Sequence, residues 1–550
     1  MVDEPTNNSS RGTAPNESEY VSKYEVQLSF PAVVLAAVSG QGGTVESSDN
    51  KATTNSKKPP KTSNELIQMR LLEAGVLFEV PVSLGETVQR LDAFCQDLEK
   101  TGCFNRVSVE VGGEKTSLDD ETGREVVEQQ VNVVLDEKDW YRLHLGGGVK
   151  AQELLQQPEM TESGQGPLPL AAEMEVSAGM RNLTGCLDQT SIAYRLDTKG
   201  IGSWTLLHER PLYTFLPSPW REALLETATG SRFSLTAKAV LDTHDYEYTR
   251  SYREYQRLMS VQLSNQHSLR DNALASASSP DWFGSLSWSF GLRDIIPRRQ
   301  VGSPWLSAAS PSILQEAGPS LKNSFSALIR TNGSFVEDGP VLNPTDGWQA
   351  YAEGELATPP GDVNFGKLQA GVSCHVPVNH SLSLHWLGQA GWLHAMAWET
   401  TSGKTPLPPT VSDRFHIGGP LQIPGFLPAG LGPRDTRSTS PDRLTPAGDS
   451  VGGDLYYRTS LMASVPALTS VFPDGRAFGF LAGGTCVQRF NLGKDPVASF
   501  FGSTRASVGV GFATTAMAGS RLEVTYAYPL RYAPVDARRN FQLGIGVSLG

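Results

Sequence analysis

Alternation of apolar with small or hydroxylated side chains, repeated in segment after segment from residue 141 onward, constrains this chain most. Successive side chains of a strand point to opposite faces, so each such segment is a ribbon with one oily side. Met174, Val176, Ala178 and Met180 alternate with Glu175, Ser177 and Gly179. Phe233, Leu235, Ala237 and Ala239 oppose Ser234, Thr236 and Lys238, and Leu286, Trp288, Phe290 and Leu292 oppose Ser285, Ser287, Ser289 and Gly291. The pattern returns in Leu382, Leu384 and Trp386, in Val508, Val510 and Phe512, and in Leu522, Val524, Tyr526 and Tyr528. A soluble sandwich alternates too, but its outer face is charged. Here the other face is mostly Ser, Gly and Thr, which suits the lumen of a barrel whose oily side meets lipid. About sixteen such strands are expected after Tyr141.

Composition is consistent with that reading. No apolar run reaches the ~18–20 residues of a membrane helix, and a mean hydropathy of −0.26 is what alternating strands average to. Trp282, Trp348, Trp386, Trp392, Trp398, Tyr526 and Tyr528 sit near strand ends, as interfacial girdles do. The long polar connections Pro297–Pro319 and Thr401–Asp413 read as loops outside the membrane. A net charge of −12 argues against nucleic-acid binding. The five cysteines, Cys95, Cys103, Cys186, Cys374 and Cys486, are scattered without a C-x-x-C pair, so neither a disulfide framework nor a zinc site is expected. His375, His380 and His385, on strands separated by a turn, are not expected to share a coordination sphere, so no metal or other cofactor is implied. Gly418-Gly419-Pro420 lacks the Lys-Ser/Thr of a phosphate loop. No Gly-x-Ser-x-Gly elbow precedes a helix, so no enzyme is expected. Arg521 and Glu523 read as a lumenal charge pair.

Ahead of the strands lies a different composition. Residues 1–23 are polar and acidic, with neither an apolar h-region nor an Arg-rich amphipathic presequence, and read as a disordered tail. Residues 24–138 read as a small α+β module with a flexible insertion at 40–63. Its elements are a strand at Tyr24–Phe30, helices at Asn64–Leu72 and Gly85–Lys100, and strands around Val107, Val109 and Val111 and around Val131, Val133 and Leu135. The second helix places Val88, Leu91, Phe94, Cys95 and Leu98 at helical spacing, with Gly102 as its stop.

The last ten residues alternate as well: Phe541, Leu543, Ile545, Val547 and Leu549 against Gln542, Gly544, Gly546, Ser548 and Gly550. Such a strand must pair on its edge. In lipid it must close against the first strand, near Tyr141–Lys150. There Leu143 and Leu145 lead into Gly146-Gly147-Gly148, which offers little packing. Gln542, Gly544, Val547 and Leu549 also match the β-signal that ends β-barrel membrane proteins.

From Arg414 the chain reads Arg-Phe-His-Ile-Gly-Gly-Pro-Leu-Gln-Ile-Pro-Gly-Phe to Phe426, then Gly432-Pro433-Arg434, then Gly452-Gly453-Asp454. This resembles the sixth-loop signature of the outer-membrane assembly (BamA-like, bacterial surface antigen) superfamily. Within it, the chain is similar to the central barrel subunits of the mitochondrial sorting and assembly machinery. The resemblance runs over roughly Tyr24–Gly550, including Thr101-Gly102-Cys103-Phe104 and the last two strands. It implies an all-β membrane protein: a 16-stranded antiparallel transmembrane β-barrel over 141–550 with one N-terminal α+β POTRA-like domain. It implies insertion of β-barrel precursor proteins into the mitochondrial outer membrane through a lateral gate. The gate would be formed by Leu143, Leu145, Gly146, Gly147 and Gly148 on one side and Gln542, Gly544, Val547 and Leu549 on the other. Accessory subunits and membrane lipids would be the partners, and the POTRA-like domain would face the intermembrane space. The lumenal loop motif would comprise Arg414, Phe415, Gly418, Gly419, Pro424, Gly425 and Phe426. The family's arginine at the tip is Pro424 here, and its acidic or polar strand partner aligns with Ala482, so that contact is expected to be absent and the loop held by Phe415, Phe426 and the Gly418-Gly419 turn. Two other readings stand beside this one: a polypeptide- or solute-conducting channel of the same superfamily, plastid members included, and a soluble β-rich scaffold.

Overall fold

The computed structural model describes residues 27–29, 33–37, 61–73, 84–118, 125–149, 172–197, 200–216, 233–265, 281–300, 303–332, 334–335, 344–396, 409–437, 447–489, 495–516 and 520–546. Two compact units are present. The first comprises residues 1–140 with 182–187 and 218–231, and the second comprises the rest.

In the first unit, β1 (Gln27–Ser29) and β2 (Val33–Ala37) both run parallel to β4 (Glu125–Glu137), whose other edge pairs antiparallel with β3 (Phe104–Leu118). The strand expected at Tyr24–Phe30 is described at Gln27–Ser29, with Gln27 opposite Val126; β2, with Val33 opposite Val131, was not expected. Helices α1 (Asn64–Glu73) and α2 (Leu84–Lys100) follow. Leu91, Phe94 and Leu98 of α2 are buried with Val107, Val133 and Leu135 of the sheet, whereas Val88 is exposed. The helix stops where the Gly102 N–H turns back to the Glu99 carbonyl at 2.9 Å. The flexible insertion expected at 40–63 lies outside the described residues except for its last three.

The second unit is a closed antiparallel barrel. Its strands are β5 (Tyr141–Val149), β6 (Ala172–Arg181), β7 (Gln189–Asp197), β8 (Gly202–Pro211), β9 (Ser234–Asp245), β10 (Tyr252–Ser264), β11 (Asp281–Pro297), β12 (Gly318–Asn332), β13 (Asp346–Ala357), β14 (Phe365–Pro377), β15 (Ser383–Ala395), β16 (Leu455–Pro466), β17 (Arg476–Val487), β18 (Arg505–Ala516), β19 (Ser520–Arg531) and β20 (Phe541–Gly546). Each pairs with its sequence neighbour, and β20 closes against β5. No helix among the described residues is long and apolar enough to cross a membrane, and the barrel crosses with strands instead.

The oily rows face outward. Leu143, Met259 and Leu286 are 76%, 67% and 61% exposed, a distribution that water would not tolerate over a whole circumference but lipid requires. Trp348 and Trp386 lie on one row, joined through Cys374, while Trp392 lies toward the other ends of the same strands. Inward, serines form hydroxyl rungs: Ser287 Oγ meets Ser326 Oγ at 2.6 Å and Ser289 Oγ meets Ser324 Oγ at 2.8 Å.

The lumen departs from the expected small-residue lining in β14 to β19. Phe365, Tyr456, Phe478 and Phe480 are buried on the inside and join Phe415, Ile417, Ile423 and Phe426 in one apolar core. The reason is an occupant: the loop between β15 and β16 folds into the barrel and needs an oily surface to rest on. The described residues of the connection Pro297–Pro319 are also structured. They form a short hairpin (Arg299–Gln300 with Ser303–Ser307) and a helical turn at Pro311–Gln315, burying Ala308, Ala309 and Ile313. Of Thr401–Asp413, the described end is buried at Thr410, Val411 and Asp413.

Candidate functional site

Residues 409–437 and 447–454, between β15 and β16, form a folded insert held at its base, its turn and its tip. At the base, Asp413 is 2% exposed. Its carboxylate accepts from Arg293 Nη1 and Nη2 at 2.8 and 3.0 Å and from Lys322 Nζ at 2.9 Å. Lys322 also reaches Glu355 at 2.7 Å, and Lys367 Nζ donates to the Asp413 carbonyl at 2.9 Å. Burial pushes the Asp413 carboxyl up, but the Lys322 and Arg293 charges and hydrogen bonds outweigh it and hold the group well below the usual carboxylate range. Beside it Arg414 donates to Glu316 Oε1 at 2.6 Å and to the Val451 carbonyl at 3.0 Å. His416 hydrogen-bonds the Val411 carbonyl and the Ser450 hydroxyl, and burial keeps its imidazole neutral.

The motif's halves then close on each other. Phe415 and Gly453 exchange backbone hydrogen bonds at 2.9 Å in both directions, and the Leu431 N–H donates to the Ile417 carbonyl at 3.2 Å. Arg434 donates to the Ala429 carbonyl at 2.6 Å. Gly418 and Gly425 both take positive φ, 120° and 94°. That region is open to glycine at little cost.

At the tip, Gln542 of β20 is 2% exposed. Its Oε1 accepts from the Gly425 N–H at 2.8 Å and its Nε2 donates to the Phe426 carbonyl at 2.8 Å. A rung of backbone hydrogen bonds continues this contact. The Leu427 N–H donates to the Ala537 carbonyl, the Ala537 N–H to the Gly430 carbonyl, and the Arg539 N–H to the Gly425 carbonyl, at 2.9, 3.0 and 3.1 Å. Pro424 and Ala482 are both buried and neither carries a charge. The tip is therefore tied to the closing strand through an amide, where the resemblance leads one to look for a buried arginine. An uncharged amide clasp avoids the desolvation cost of a buried ion pair.

Phe415, Gly418, Gly419, Pro424, Gly425 and Phe426 thus lie together inside the barrel, with Arg414 at the base. Leu143, Leu145 and Gly146-Gly147-Gly148 lie on β5, paired on their other side with β6 (Leu143 opposite Ala178, Gly148 opposite Glu173). Gln542 and Gly544 lie on β20, opposite Thr525 and Glu523 of β19. Val547 and Leu549 fall outside the described residues. The structure corrects the reading of the histidines: His375 and His385 are directly opposite on β14 and β15, and their Nδ1 atoms are 2.8 Å apart. A short turn between the strands made the spacing of ten residues a cross-strand pair. No cluster of three or more His, Cys, Asp or Glu suited to a metal occurs among the described residues. Arg521 and Glu523 do pair, at 3.3 Å. Sequence reading missed Arg293, Lys322 and Asp413, because ion pairs between residues about a hundred positions apart leave no local pattern.

The sequence matches the Omp85 superfamily domain over residues 218–549, more than half of the chain. The chain belongs to the Omp85 superfamily. Among curated Omp85-type relatives, it is 28% identical over 251 residues to a SAM50-like protein of Schizosaccharomyces pombe, covering 44% of this chain and 47% of the relative. It is 30% identical over 151 residues to the sorting assembly machinery 50 kDa subunit of Saccharomyces cerevisiae, 27% of this chain and 29% of that one. The human sorting and assembly machinery component 50 homolog matches at 26% over 240 residues, 40% and 44% of the two chains. These matches span about half of each relative's length or less. Among solved structures, BamA from Haemophilus ducreyi lacking POTRA domains 1–3 superposes with a TM-score of 0.59 at 15% identity, covering 94% of this chain and 84% of that one. That likeness shows the barrel fold.

Proposed function

We propose that this protein inserts β-barrel precursors into the mitochondrial outer membrane, using the β5–β20 seam as a lateral gate. The observation that carries the proposal is a closed sixteen-strand barrel whose closing strand is clasped from inside by the loop tip through Gln542. A seam between first and last strands is the one place where a barrel can open without cutting a loop. Opening it exposes an unpaired strand edge, which is a template for another strand. Lipid tolerates no unpaired backbone group, so a precursor's strand replaces β20 bond for bond as the gate parts. The work is hydrogen-bond exchange and calls for no covalent chemistry.

The names of the relatives in the two yeasts and in human support a sorting and assembly machinery, and the mitochondrial placement follows from the resemblance to that machinery's barrel subunits. On this reading the first unit is a POTRA-like domain in the intermembrane space, and accessory subunits of a sorting and assembly complex attend the barrel. The channel reading is less well supported, because the apolar core around Phe415, Phe426, Phe478 and Phe480 fills lumen that a conduit would leave open. A soluble scaffold would not present the outward oily rows. The test is reconstitution. Full-length protein in liposomes is expected to render an added barrel precursor protease-resistant and heat-modifiable, and to do so poorly for a precursor whose terminal signal is altered. Equal insertion by empty liposomes would reject the proposal.

A further inference from the structure

Beneath the loop tip lies a cavity of about 310 Å³ that the insertion chemistry does not use. Arg458, Arg476 and Arg521 all line it, and Glu523, already bonded to Arg521, is the one carboxylate among the described lining residues. Arg458 donates to Gln389 Oε1 and to the Leu421 carbonyl at 2.6 and 3.3 Å. Arg476 donates to the Ser464 and Ser383 hydroxyls at 3.0 and 3.2 Å. Neither guanidinium has a carboxylate partner among the described residues. Partly buried cations without a counter-charge are costly.

A hydrogen-bonded chain runs along the same wall. The Ser464 hydroxyl, which accepts from Arg476, also hydrogen-bonds His385 Nε2 at 2.7 Å, and His385 Nδ1 meets His375 Nδ1 at 2.8 Å. His375 is 7% exposed, lines the cavity, and its Nε2 finds no partner among the described residues; the buried Ser373 hydroxyl beside it finds none among them either. Three guanidiniums against one carboxylate leave an excess of two positive charges, and the fork of arginine matches a tetrahedral oxyanion.

We propose that this lumenal cavity binds a phosphate-class dianion, free or carried on a lipid headgroup. With Leu421, Gln422 and Pro424 forming part of its wall, the anion bridges the loop tip to β16, β17 and β19 and stabilises the docked loop. The space equals about ten waters, enough for a glycerophosphate.

Full-length protein in zwitterionic detergent is titrated calorimetrically with inorganic phosphate at fixed ionic strength, and in parallel with dihexanoyl phosphatidate. Saturable binding is expected, weakened at least tenfold by Arg476→Gln and by Arg458→Lys and unchanged by Arg437→Gln on the exposed loop, with folding verified by retained heat-modifiability. Should Arg476→Gln fail to fold, Arg458→Lys, which keeps the charge but loses the fork, carries the test. Binding of phosphatidate but not phosphate identifies the headgroup as the source. No saturable binding of either probe to folded protein, undiminished binding in the folded variants, or tighter arginine-dependent binding of a glutamate-rich peptide overturns the proposal.

Discussion

At the scale of single residues, two side chains hold the lumenal loop. Gln542 makes both of its contacts away from water, so replacing it takes the partner from the Gly425 N–H and leaves the Phe426 carbonyl with the Gly419 N–H alone. Gln542→Leu is expected to cost about 1–3 kcal/mol and to speed protease cleavage near residue 425, read by timed digestion and mass spectrometry. Asp413 behaves differently, because its loss strands the buried Arg293 and leaves Lys322 to Glu355 alone. Asp413→Asn is expected to cost about 3–5 kcal/mol near neutral pH, read as a lowered melting temperature in detergent. Its depressed folded pKa also sets a sign: below about pH 4 the unfolded chain takes up the proton first, so stability falls as pH falls toward the folded value. The melting curves of wild type and Asp413→Asn should therefore converge with acid. Gln542 stood out in sequence through its place in an alternating strand, but its partner did not. A side chain's choice of a backbone amide more than a hundred residues away has no signature in composition or period.

At the scale of elements, alternation located the strands because lipid outside and water inside enforce a period of two. Where the inside is dry, the code inverts. In β17 the large Phe478 and Phe480 point inward and Gly479 and Gly483 fall on the outer rows, since the loop supplies the oil that lipid supplies elsewhere. Phe480 lies directly opposite Gly509, and Phe478 opposite Gly511. A Cβ added at Gly509 would come within 2.7 Å of the Phe480 ring and would press on the Tyr526 carbonyl. Gly509→Ala is expected to destabilise the barrel by about 1–3 kcal/mol. Adding Phe480→Ala should recover part of the Gly509→Ala effect in a double-mutant cycle of melting temperatures, and strict additivity would show that the ring is not what the methyl meets. The helix α2 was legible to within a residue, from Leu91, Phe94 and Leu98 at helical spacing. Strand β2 ahead of it was not, because Val-Val-Leu-Ala-Ala at Val33–Ala37 is a short apolar run without alternation.

At the scale of the whole molecule, the number of strands and the meeting of the first with the last were legible because a membrane forbids an open edge. That a loop carrying Arg414–Phe426 enters the lumen followed from the resemblance, but its contacts at base and tip were not legible, since the insert folds through contacts between distant segments. The seam therefore holds β5, with its glycine run, against β20, whose Gln542 is engaged from within by a proline-tipped loop. Disulfide trapping at this seam tests the proposed gate most directly. Leu145→Cys is paired with single cysteines along the terminal strand of a barrel precursor arrested during insertion, with Leu543→Cys in the same chain as the internal competitor. Crosslinks to the precursor at every second residue, at the expense of the Leu145→Cys to Leu543→Cys disulfide and lost when the precursor's signal is altered, are the expected result. A Leu145→Cys to Leu543→Cys disulfide that forms equally with and without precursor, and no crosslink to it, would contradict the gate.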